Sequence, residues 1–213
     1  MEIIRLVLSP LATNCYIAAV GNSEAVVIDP ADDGERILAE AQGAGLAIKK
    51  ILLTHGHFDH TGAASFIKEQ TGAPIYVHKA DVELLSDGVK ALAFFCPDRP
   101  FVPCSPDELL DDGDTVTQGD VTFRVMTTPG HTAGSVCFLC GGGSGRGVMF
   151  SGDTLFKDSI GRSDVYSSST EALMRSLDRL RELDGDYDVY PGHGEPTTLA
   201  AEKRFNPFLA DFI

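Results

Sequence analysis

Short apolar runs alternate with amphipathic stretches along the chain, and the two kinds of pattern recur in two similar halves. Each half opens with several strand-like runs and continues with a helix and a further strand. Helices are predicted after a capping-box pair at Asp32 and Glu35, over residues 61–71, from 168 onwards and over 198–205. Strands are predicted at residues 3–8, 15–20, 25–28, 51–53, 75–77, 114–117, 121–127, 135–140, 148–151 and 189–190.

This pattern predicts two β-sheets that pack face to face and carry helices on their outer surfaces. No linker or break in composition divides the chain, so residues 1–213 are predicted to form a single α/β domain. Residues 88–106 depart from the pattern, because they carry four prolines and three phenylalanines. Such a segment is either a lid near a site or a covering loop.

The composition and net charge of the chain exclude several classes of protein. Hydrophobic residues make up 43% and charged residues 23%, which excludes disorder or a coiled coil for the whole chain. The 17 basic and 31 acidic residues give a formal net charge of −14, which argues against a nucleic-acid partner. No apolar run has the length of a membrane span, and the first residues lack the features of a signal peptide. We therefore expect a cytoplasmic protein with no membrane partner.

The five cysteines predict neither disulfides nor a metal site. An odd number without a secretion signal argues against a disulfide framework. Cys137 and Cys140 form a C-x-x-C pair, but they lie in a strand-like run, where residues three apart point to opposite faces. No second pair is present to complete a zinc knuckle.

Three of the six histidines lie within six residues, together with one aspartate: His55, His57, Asp59 and His60. Packing does not explain such a group, because a structural histidine usually stands alone. His55 and His57 are two apart at a strand end, so both can face the same way. Asp59 and His60 come where the chain turns into a helix and can face a second point. Histidine with carboxylate is the typical ligand set of zinc and similar ions.

Further candidate ligands also follow predicted strands. The tripeptide Pro-Gly-His occurs twice and ends at His131 and at His193, where glycine permits a turn that presents the histidine. Asp153 likewise comes directly after an apolar strand. All these side chains therefore lie at strand ends, where sheet folds place their sites. His78 stands alone, and we assign it to packing.

Five histidines and two aspartates give seven ligands. If Asp153 bridges two ions, the seven side chains fill the roughly eight positions that two four-coordinate zinc ions require. Two ions about 3.5–4 Å apart would acidify a water between them to hydroxide at neutral pH. A single structural metal is the alternative, but structural zinc sites favour cysteine ligands, and no cysteine adjoins these histidines.

The chain resembles the metallo-β-lactamase superfamily in four motifs that occur in the family's order. They are Thr-His-Gly-His-Phe-Asp-His at residues 54–60, Pro-Gly-His-Thr at 129–132, Ser-Gly-Asp-Thr at 151–154 and Pro-Gly-His at 191–193. The resemblance implies an αββα sandwich of two mixed sheets with two divalent ions at one edge. It assigns zinc most readily, with iron or manganese as alternatives. It implies that one ion is held by His55, His57 and His131, the other by Asp59, His60 and His193, and that Asp153 is shared.

Within the superfamily, residues 152–156 and 160–162 are similar to the hydroxyacylglutathione hydrolases, or glyoxalase II enzymes. Residues 197–208 resemble a short bacterial glyoxalase II-like branch. The resemblance implies a hydrolase that cleaves thioesters such as S-lactoylglutathione with a metal-bridging hydroxide. It gives Asp59 a catalytic role and places Phe156 and Arg162 against the small-molecule substrate.

The chain departs from glyoxalase II in two respects. Only twenty residues follow His193, too few for the helical C-terminal domain that helps the full-length enzyme to hold glutathione. Asp164 stands where the family has a tyrosine. Arg162 can read a substrate carboxylate with its planar fork, or it can pair on the surface with Asp158 or Asp164. The thioester is therefore better supported than glutathione as its thiol.

Two other activities of the superfamily stay open on the sequence. Lactonases share all seven ligands. Persulfide dioxygenases share the histidine box but hold a single iron, here by likeness through His55, His131 and Asp153. A metal-binding relative without activity is disfavoured because no ligand is missing. The sequence does not fix the oligomeric state.

Overall fold

The computed structural model describes residues 1–143 and 145–210 and contains two six-stranded sheets. In the first sheet the strands lie side by side in chain order; β1 to β3 are antiparallel and β3 to β6 are parallel. The strands are β1 (Ile3–Leu8), β2 (Thr13–Val20), β3 (Glu24–Ile28), β4 (Ala47–Leu52), β5 (Ile75–His78) and β6 (Glu108–Leu110).

The second sheet has the order β14-β13-β10-β9-β8-β7. A separate two-stranded hairpin, β11 with β12, follows β10 in the chain. The strands are β7 (Thr115–Gln118), β8 (Val121–Thr127), β9 (Val136–Cys140), β10 (Gly147–Gly152), β11 (Leu155–Phe156), β12 (Ser159–Ile160), β13 (Tyr187–Pro191) and β14 (Thr197–Thr198).

Five α-helices flank the sheets: α1 (Gly34–Gly43), α2 (Phe58–Thr61), α3 (Ala64–Thr71), α4 (Thr170–Arg181) and α5 (Leu199–Phe205). Two 3-10 segments cover Lys79–Leu85 and Ala93–Phe95. Within the ranges given above, no helix is both long and apolar enough to cross a membrane.

Three apolar layers hold the sandwich together. Helices α1 and α3 pack on the outer face of the first sheet, and α4 and α5 on that of the second. Between the sheets, Tyr16 and Leu52 of the first meet Phe138 and Phe150 of the second. A fully buried phenylalanine such as Phe138 stabilises the fold by about 1.5–3 kcal/mol relative to an exposed one. The predicted αββα sandwich of two mixed sheets is confirmed.

The predicted helix over residues 61–71 is wrong in its extent, because the structure has two helices there, α2 and α3. The break has a tertiary cause. The Ala63 amide donates to the Pro30 carbonyl at 2.9 Å instead of continuing a helical ladder. Helix α1 also begins one residue later than its predicted capping box, since the Asp33 side chain, not that of Asp32, accepts from the Arg36 amide.

Strand directions bring four loops to one edge of the sandwich. Strands β8 and β10 both run antiparallel to β9, and β13 is parallel to β10, so β8, β10 and β13 end at the same edge. The loop after β4 joins them there, because the Val136 amide donates to the Thr54 carbonyl at 2.9 Å. The Asn14 amide donates to the Gly192 carbonyl at 2.7 Å and closes the edge from the other side.

Candidate metal centre

The seven side chains that the sequence singles out as metal ligands converge at this edge. Six are buried, and the side chain of His193 keeps 28% of its surface exposed at the mouth. The loop after β4 supplies two of them, helix α2 directly after that loop supplies two more, and β8, β10 and β13 are each followed by one. The seven are His55, His57, Asp59, His60, His131, Asp153 and His193.

Three histidines form a first group around one point. His57 Nδ1 lies 2.9 Å from His131 Nε2, and one ligand atom from each of His55, His57 and His131 lies within 4.8 Å of the others. His55 Nε2 is buried and has no hydrogen-bond partner among the described residues. Buried polar atoms are ordinarily satisfied, so these nitrogens fit a cation that accepts their lone pairs.

A second group lies beside the first and contains a carboxylate. Asp59 Oδ2 is 3.6 Å from His60 Nε2 and 3.4 Å from His193 Nε2. The two histidine nitrogens are 3.3 Å apart. One carboxylate and two imidazoles are a frequent ligand set of catalytic zinc sites, so this group also fits a divalent cation.

Asp153 lies between the two groups. Its Oδ2 is 3.4 Å from His131 Nε2 in the first group and 3.5 Å from His193 Nε2 in the second. Its Oδ1 is 3.5 Å from His60 Nε2 and makes no hydrogen bond within the described residues. A single carboxylate therefore faces both groups, as a bridging ligand would.

The second ring nitrogen fixes the orientation of most of these histidines. The Nδ1 atoms of His131 and His193 donate to backbone carbonyls, which leaves the lone pair of each ring on Nε2, facing the centre. His55 Nδ1 donates to Thr54 Oγ1, which itself donates to Asp29. These outer contacts are 2.8 Å to Arg162 O, 3.2 Å to Leu11 O and 3.1 Å to Thr54 Oγ1.

Asp29 and Thr13 support the centre and were missed by the sequence reasoning. Asp29 accepts from the Thr54 amide at 2.8 Å and from the Thr54 hydroxyl at 2.6 Å, and it contacts His60 Nδ1 at 3.0 Å. With these partners Asp29 orients His60, although its carboxylate also lies within 4.8 Å of ligand atoms of His55 and His60. Thr13 donates its hydroxyl to Asp59 Oδ2 at 2.9 Å. The only sequence signal for Asp29 is its position directly after a strand.

Burial and charge prepare the two groups differently. Burial lowers the pKa of His55 and of His57 well below the ordinary value, and the neighbouring histidines add to this effect. Both rings are therefore neutral near pH 7, the form that a metal ion requires. Burial also opposes a charge on His60, but Asp59, Asp153 and a hydrogen bond to Asp29 outweigh it and raise the pKa of His60.

The carboxyl of Asp59 is ionised in spite of its burial. Burial opposes the charge, yet His60, His193 and the hydrogen bond from Thr13 hold the pKa of Asp59 well below its ordinary value. The carboxylates of Asp29, Asp59 and Asp153 surround His60 and stabilise positive charge there. The same negative charges would stabilise a divalent cation bound at this group.

Two glycines let the backbone approach the ligands. A Cβ on Gly192 would lie 2.1 Å from Asp153 Oδ1, and one on Gly161 would lie 1.8 Å from the Asp153 carbonyl. Gly130 has a φ of 146° and lies against Leu173, so only this Pro-Gly-His tripeptide uses glycine for a backbone conformation that other residues resist.

The two predicted substrate residues lie at the rim. The Phe156 ring is 6.0 Å from the His193 ring, centroid to centroid, and lines an open cleft of about 500 Å³ with Lys157 and Glu195. The Arg162 side chain is half-exposed, and Asp164, one of the two alternative partners, accepts from its Nε at 2.8 Å. His78 lies outside the centre and accepts from the Ala80 amide.

The sequence model of the metallo-beta-lactamase superfamily matches residues 8–193, which span all four ligand-bearing loops. The chain belongs to the metallo-beta-lactamase superfamily. The described fold, two mixed sheets with helices outside, is the fold of this superfamily. The His and Asp cluster of this superfamily member supports binding of divalent metal.

Two sequence relatives extend over almost the whole chain. An uncharacterized protein of Mycobacterium tuberculosis is 40% identical over 217 residues, which cover 93% of each chain. The hydroxyacylglutathione hydrolase GloC of Haemophilus influenzae is 32% identical over 206 residues, which cover 92% of each. The chain is therefore similar to a named hydrolase over about nine tenths of its length.

Three solved structures are similar to the chain over nearly its whole length. The B3 metallo-beta-lactamase BLEG-1 has a TM-score of 0.89 and 34% identity, and covers 98% of this chain and 100% of its own. TTHA1623, solved in a di-iron-bound form, has a TM-score of 0.86 and 39% identity, with 97% and 100% covered. ETHE1 from Myxococcus xanthus has a TM-score of 0.77 and 28% identity, with 97% and 84% covered.

Asp81 links the loop after β4 to the loop after β8, and its removal is therefore expected to destabilise the protein. This buried carboxylate accepts from the Gly56 amide at 2.9 Å and the Gly134 amide at 2.7 Å, and from the Thr132 hydroxyl at 2.7 Å. Asp81→Ala leaves two buried amides without hydrogen-bond partners, and each unpaired amide costs about 1–3 kcal/mol of folding free energy. We expect the free energy of unfolding, measured in urea, to fall by about 2–5 kcal/mol.

Asp98→Ala is the matched control, because Asp98 is an exposed aspartate outside the loops that carry the candidate ligands. It is expected to change the free energy of unfolding by less than about 0.5 kcal/mol. Equal stability of the two variants would show that Asp81 does not hold the loops together.

Proposed function

We propose that this protein is a dinuclear metal-dependent hydrolase that cleaves thioesters of small molecules. The observation that carries the proposal is the arrangement of seven side chains in two groups of three donors with Asp153 between them. The first group would be His55, His57 and His131, and the second Asp59, His60 and His193. A site for a single ion leaves the second group without a role.

The thioester rests on similarity. GloC, a hydroxyacylglutathione hydrolase, is 32% identical across 92% of both chains, and residues 152–156 and 160–162 resemble that class of enzyme. We propose zinc as the resident ion, with iron or manganese able to use the same ligands. TTHA1623 in its di-iron form supports a pair of ions in this fold and makes iron the first alternative.

A pair of divalent ions held by these residues would supply an acidified water and an electrophile for the carbonyl oxygen. The chain's own residues position the reactants. Asp59, held by Thr13, presents a carboxylate that can accept a proton from the attacking water and orient it. Asp153 faces both groups of donors and would bridge them. Phe156 and Arg162 at the rim would contact the substrate.

We propose a cytoplasmic enzyme built on a single domain. The five cysteines all lie in the described part of the chain and are free thiols, four of them buried. Free thiols are typical of a reducing compartment. The acidic surface, with a net charge of −14, supports a small-molecule substrate over a nucleic acid.

The test assays three reactions on one preparation of the metal-loaded protein. Thiol release from S-lactoylglutathione and from N-acetylcysteamine thioesters, ring opening of a lactone, and oxygen uptake with glutathione persulfide are measured side by side. We expect thiol release to dominate, to disappear on treatment with a chelator and to return when Zn²⁺ is restored. His78→Ala, which alters a histidine outside the centre, should keep the activity.

Oxygen uptake with persulfide, without thiol release from any thioester, would overturn the proposal in favour of a dioxygenase. Ring opening without thiol release would favour a lactonase.

A further inference from the structure

A second cleft, of about 400 Å³, lies beside the metal centre between residues 89–95 and residues 162–166. Its walls are mainly apolar. Three of the aromatic side chains in these walls are exposed to solvent, Phe94 over 59% of its surface, Phe95 over 48% and Tyr166 over 42%. Exposed aromatic side chains that cluster around a concavity mark a binding site more often than isolated ones do. The apolar lining is Val89, Leu92, Phe94, Phe95, Val165 and Tyr166.

Both walls of this apolar cleft are attached to ligand-bearing loops. On one side, the Phe58 amide, adjacent to His57 and Asp59, donates to the Ala91 carbonyl at 3.1 Å. On the other side, His131 Nδ1 donates to the Arg162 carbonyl at 2.8 Å. The cleft therefore begins next to the metal centre, and a molecule that reacts there can extend into it.

The charges of the cleft are already neutralised in pairs. Asp164 accepts from Arg162 Nε at 2.8 Å and from its Nη2 at 3.2 Å, so the guanidinium fork holds a carboxylate of the chain itself. Glu83 accepts from Lys90 Nζ at 2.7 Å. A substrate carboxylate would have to compete with these partners, whereas an uncharged group leaves them undisturbed.

Both cations also lie over aromatic rings. The Arg162 guanidinium carbon is 5.4 Å from the centre of the Phe95 ring, and Lys90 Nζ is 5.4 Å from the centre of the Tyr166 ring. This arrangement covers the charges with apolar surface and holds the rings in place.

The cleft is also held in a fixed shape. Glu83 accepts from the Tyr166 hydroxyl at 2.5 Å as well as from Lys90, so it ties the two walls together. Leu92 has a φ of 66°, a left-handed conformation that leucine rarely adopts, yet its side chain is buried. Such strain persists only where the surroundings enforce it, and it clusters at ligand sites.

We propose that this cleft binds an uncharged, apolar chain of the thioester, attached to the carbonyl carbon or to the sulfur. That the bound molecule is a thioester rests on the proposed function, whereas the preference for an apolar chain rests on the lining of the cleft. A glutathione moiety, with its two carboxylates, fits the paired charges and apolar walls less well than an alkyl chain does.

The test begins with binding, so that it does not depend on turnover. Non-hydrolysable N-acetylcysteamine thioethers with alkyl chains of two, four, six and eight carbons are titrated into the metal-loaded protein by calorimetry. Each added methylene is expected to tighten Kd by about two- to fourfold until the cleft is filled. Thioester series that lengthen either the acyl or the thiol side then show in kcat/KM which side enters the cleft.

Phe95→Ala should weaken binding of the eight-carbon thioether by about fivefold or more and leave the two-carbon one within about twofold. Phe205→Ala is the matched control. Phe205 on α5 is likewise exposed and has an arginine, Arg204, over its ring at 4.9 Å. The control should behave like the wild type with every chain length.

Two results would overturn the inference: a Kd that does not change with chain length in the wild type, or the same dependence in Phe95→Ala. Chain-dependent binding that Phe95→Ala removes, with no thioester cleaved, would support the cleft and contradict the proposed function. Cleavage of thioesters at rates independent of chain length, with binding also independent of it, would support the function and contradict the cleft.

Discussion

Asp153→Ala is expected to lower the bound metal from two ions per chain to fewer than one and to reduce kcat/KM for thioesters about a thousandfold or more, equivalent to about 4 kcal/mol of transition-state stabilisation. The reason is its position. Asp153 oxygens lie 3.4–3.5 Å from nitrogens of both donor groups. Without this carboxylate, five imidazoles and Asp59 face two divalent cations, and the charge between the ions is lost.

Metal content by mass spectrometry and thiol release provide the measurements, with circular dichroism to show that the variant is folded. Asp184→Ala, which alters an exposed aspartate away from the centre, is the matched control and should retain two ions and full activity. Retention of both ions and near-normal kcat/KM in Asp153→Ala would show that Asp153 does not bridge.

Asp59→Asn is expected to lower kcat about a hundred- to a thousandfold while KM changes by less than about threefold. The amide keeps the size of the side chain, and its oxygen can still accept from Thr13. It loses the charge that His60 and His193 stabilise in the native site, and it becomes a poor acceptor for a water proton. The loss therefore falls on the chemical step and not on substrate binding.

Thr13→Ala provides a graded comparison, because it removes the hydroxyl that orients Asp59 without altering the carboxylate. We expect a decrease of about tenfold in kcat, the usual size of an effect on a supporting hydrogen bond of a metal ligand. If Asp59→Asn keeps both ions and an unchanged kcat, Asp59 takes no part in the chemical step and has only a structural role in the site.

The sequence predicted the fold where apolar runs were long. The alternating and continuous runs of β2, β8 and β9 predicted strands, and the leucine stripe of Leu173, Leu177 and Leu180 predicted α4. Strands of two or three residues, such as β6, β11, β12 and β14, are too short to show an alternation of apolar and polar positions, and they were not predicted. The break between α2 and α3 depends on the Pro30 carbonyl, which is distant in sequence and cannot be inferred from local pattern.

The candidate centre could be located from sequence because the side chains that converge there lie in short motifs at or just after strand ends. The side chains that support it could not. Asp81 lies in a 3-10 segment, and only the tertiary fold brings it to Gly56 and Gly134. The apolar cleft has the same origin, since residues 89–95 and 162–166 are about seventy positions apart. The sequence left 88–106 as a lid or a covering loop; in the structure part of this segment forms a wall beside the centre.

Anomalous diffraction from crystals of the metal-loaded protein, collected on either side of the absorption edge of the bound metal, tests the central claim most directly. We expect two peaks about 3.5–4 Å apart. One should be surrounded by His55, His57 and His131, the other by Asp59, His60 and His193, with Asp153 in contact with both. A single peak under metal-replete conditions, with His60 and His193 bound to no ion, would contradict the dinuclear centre.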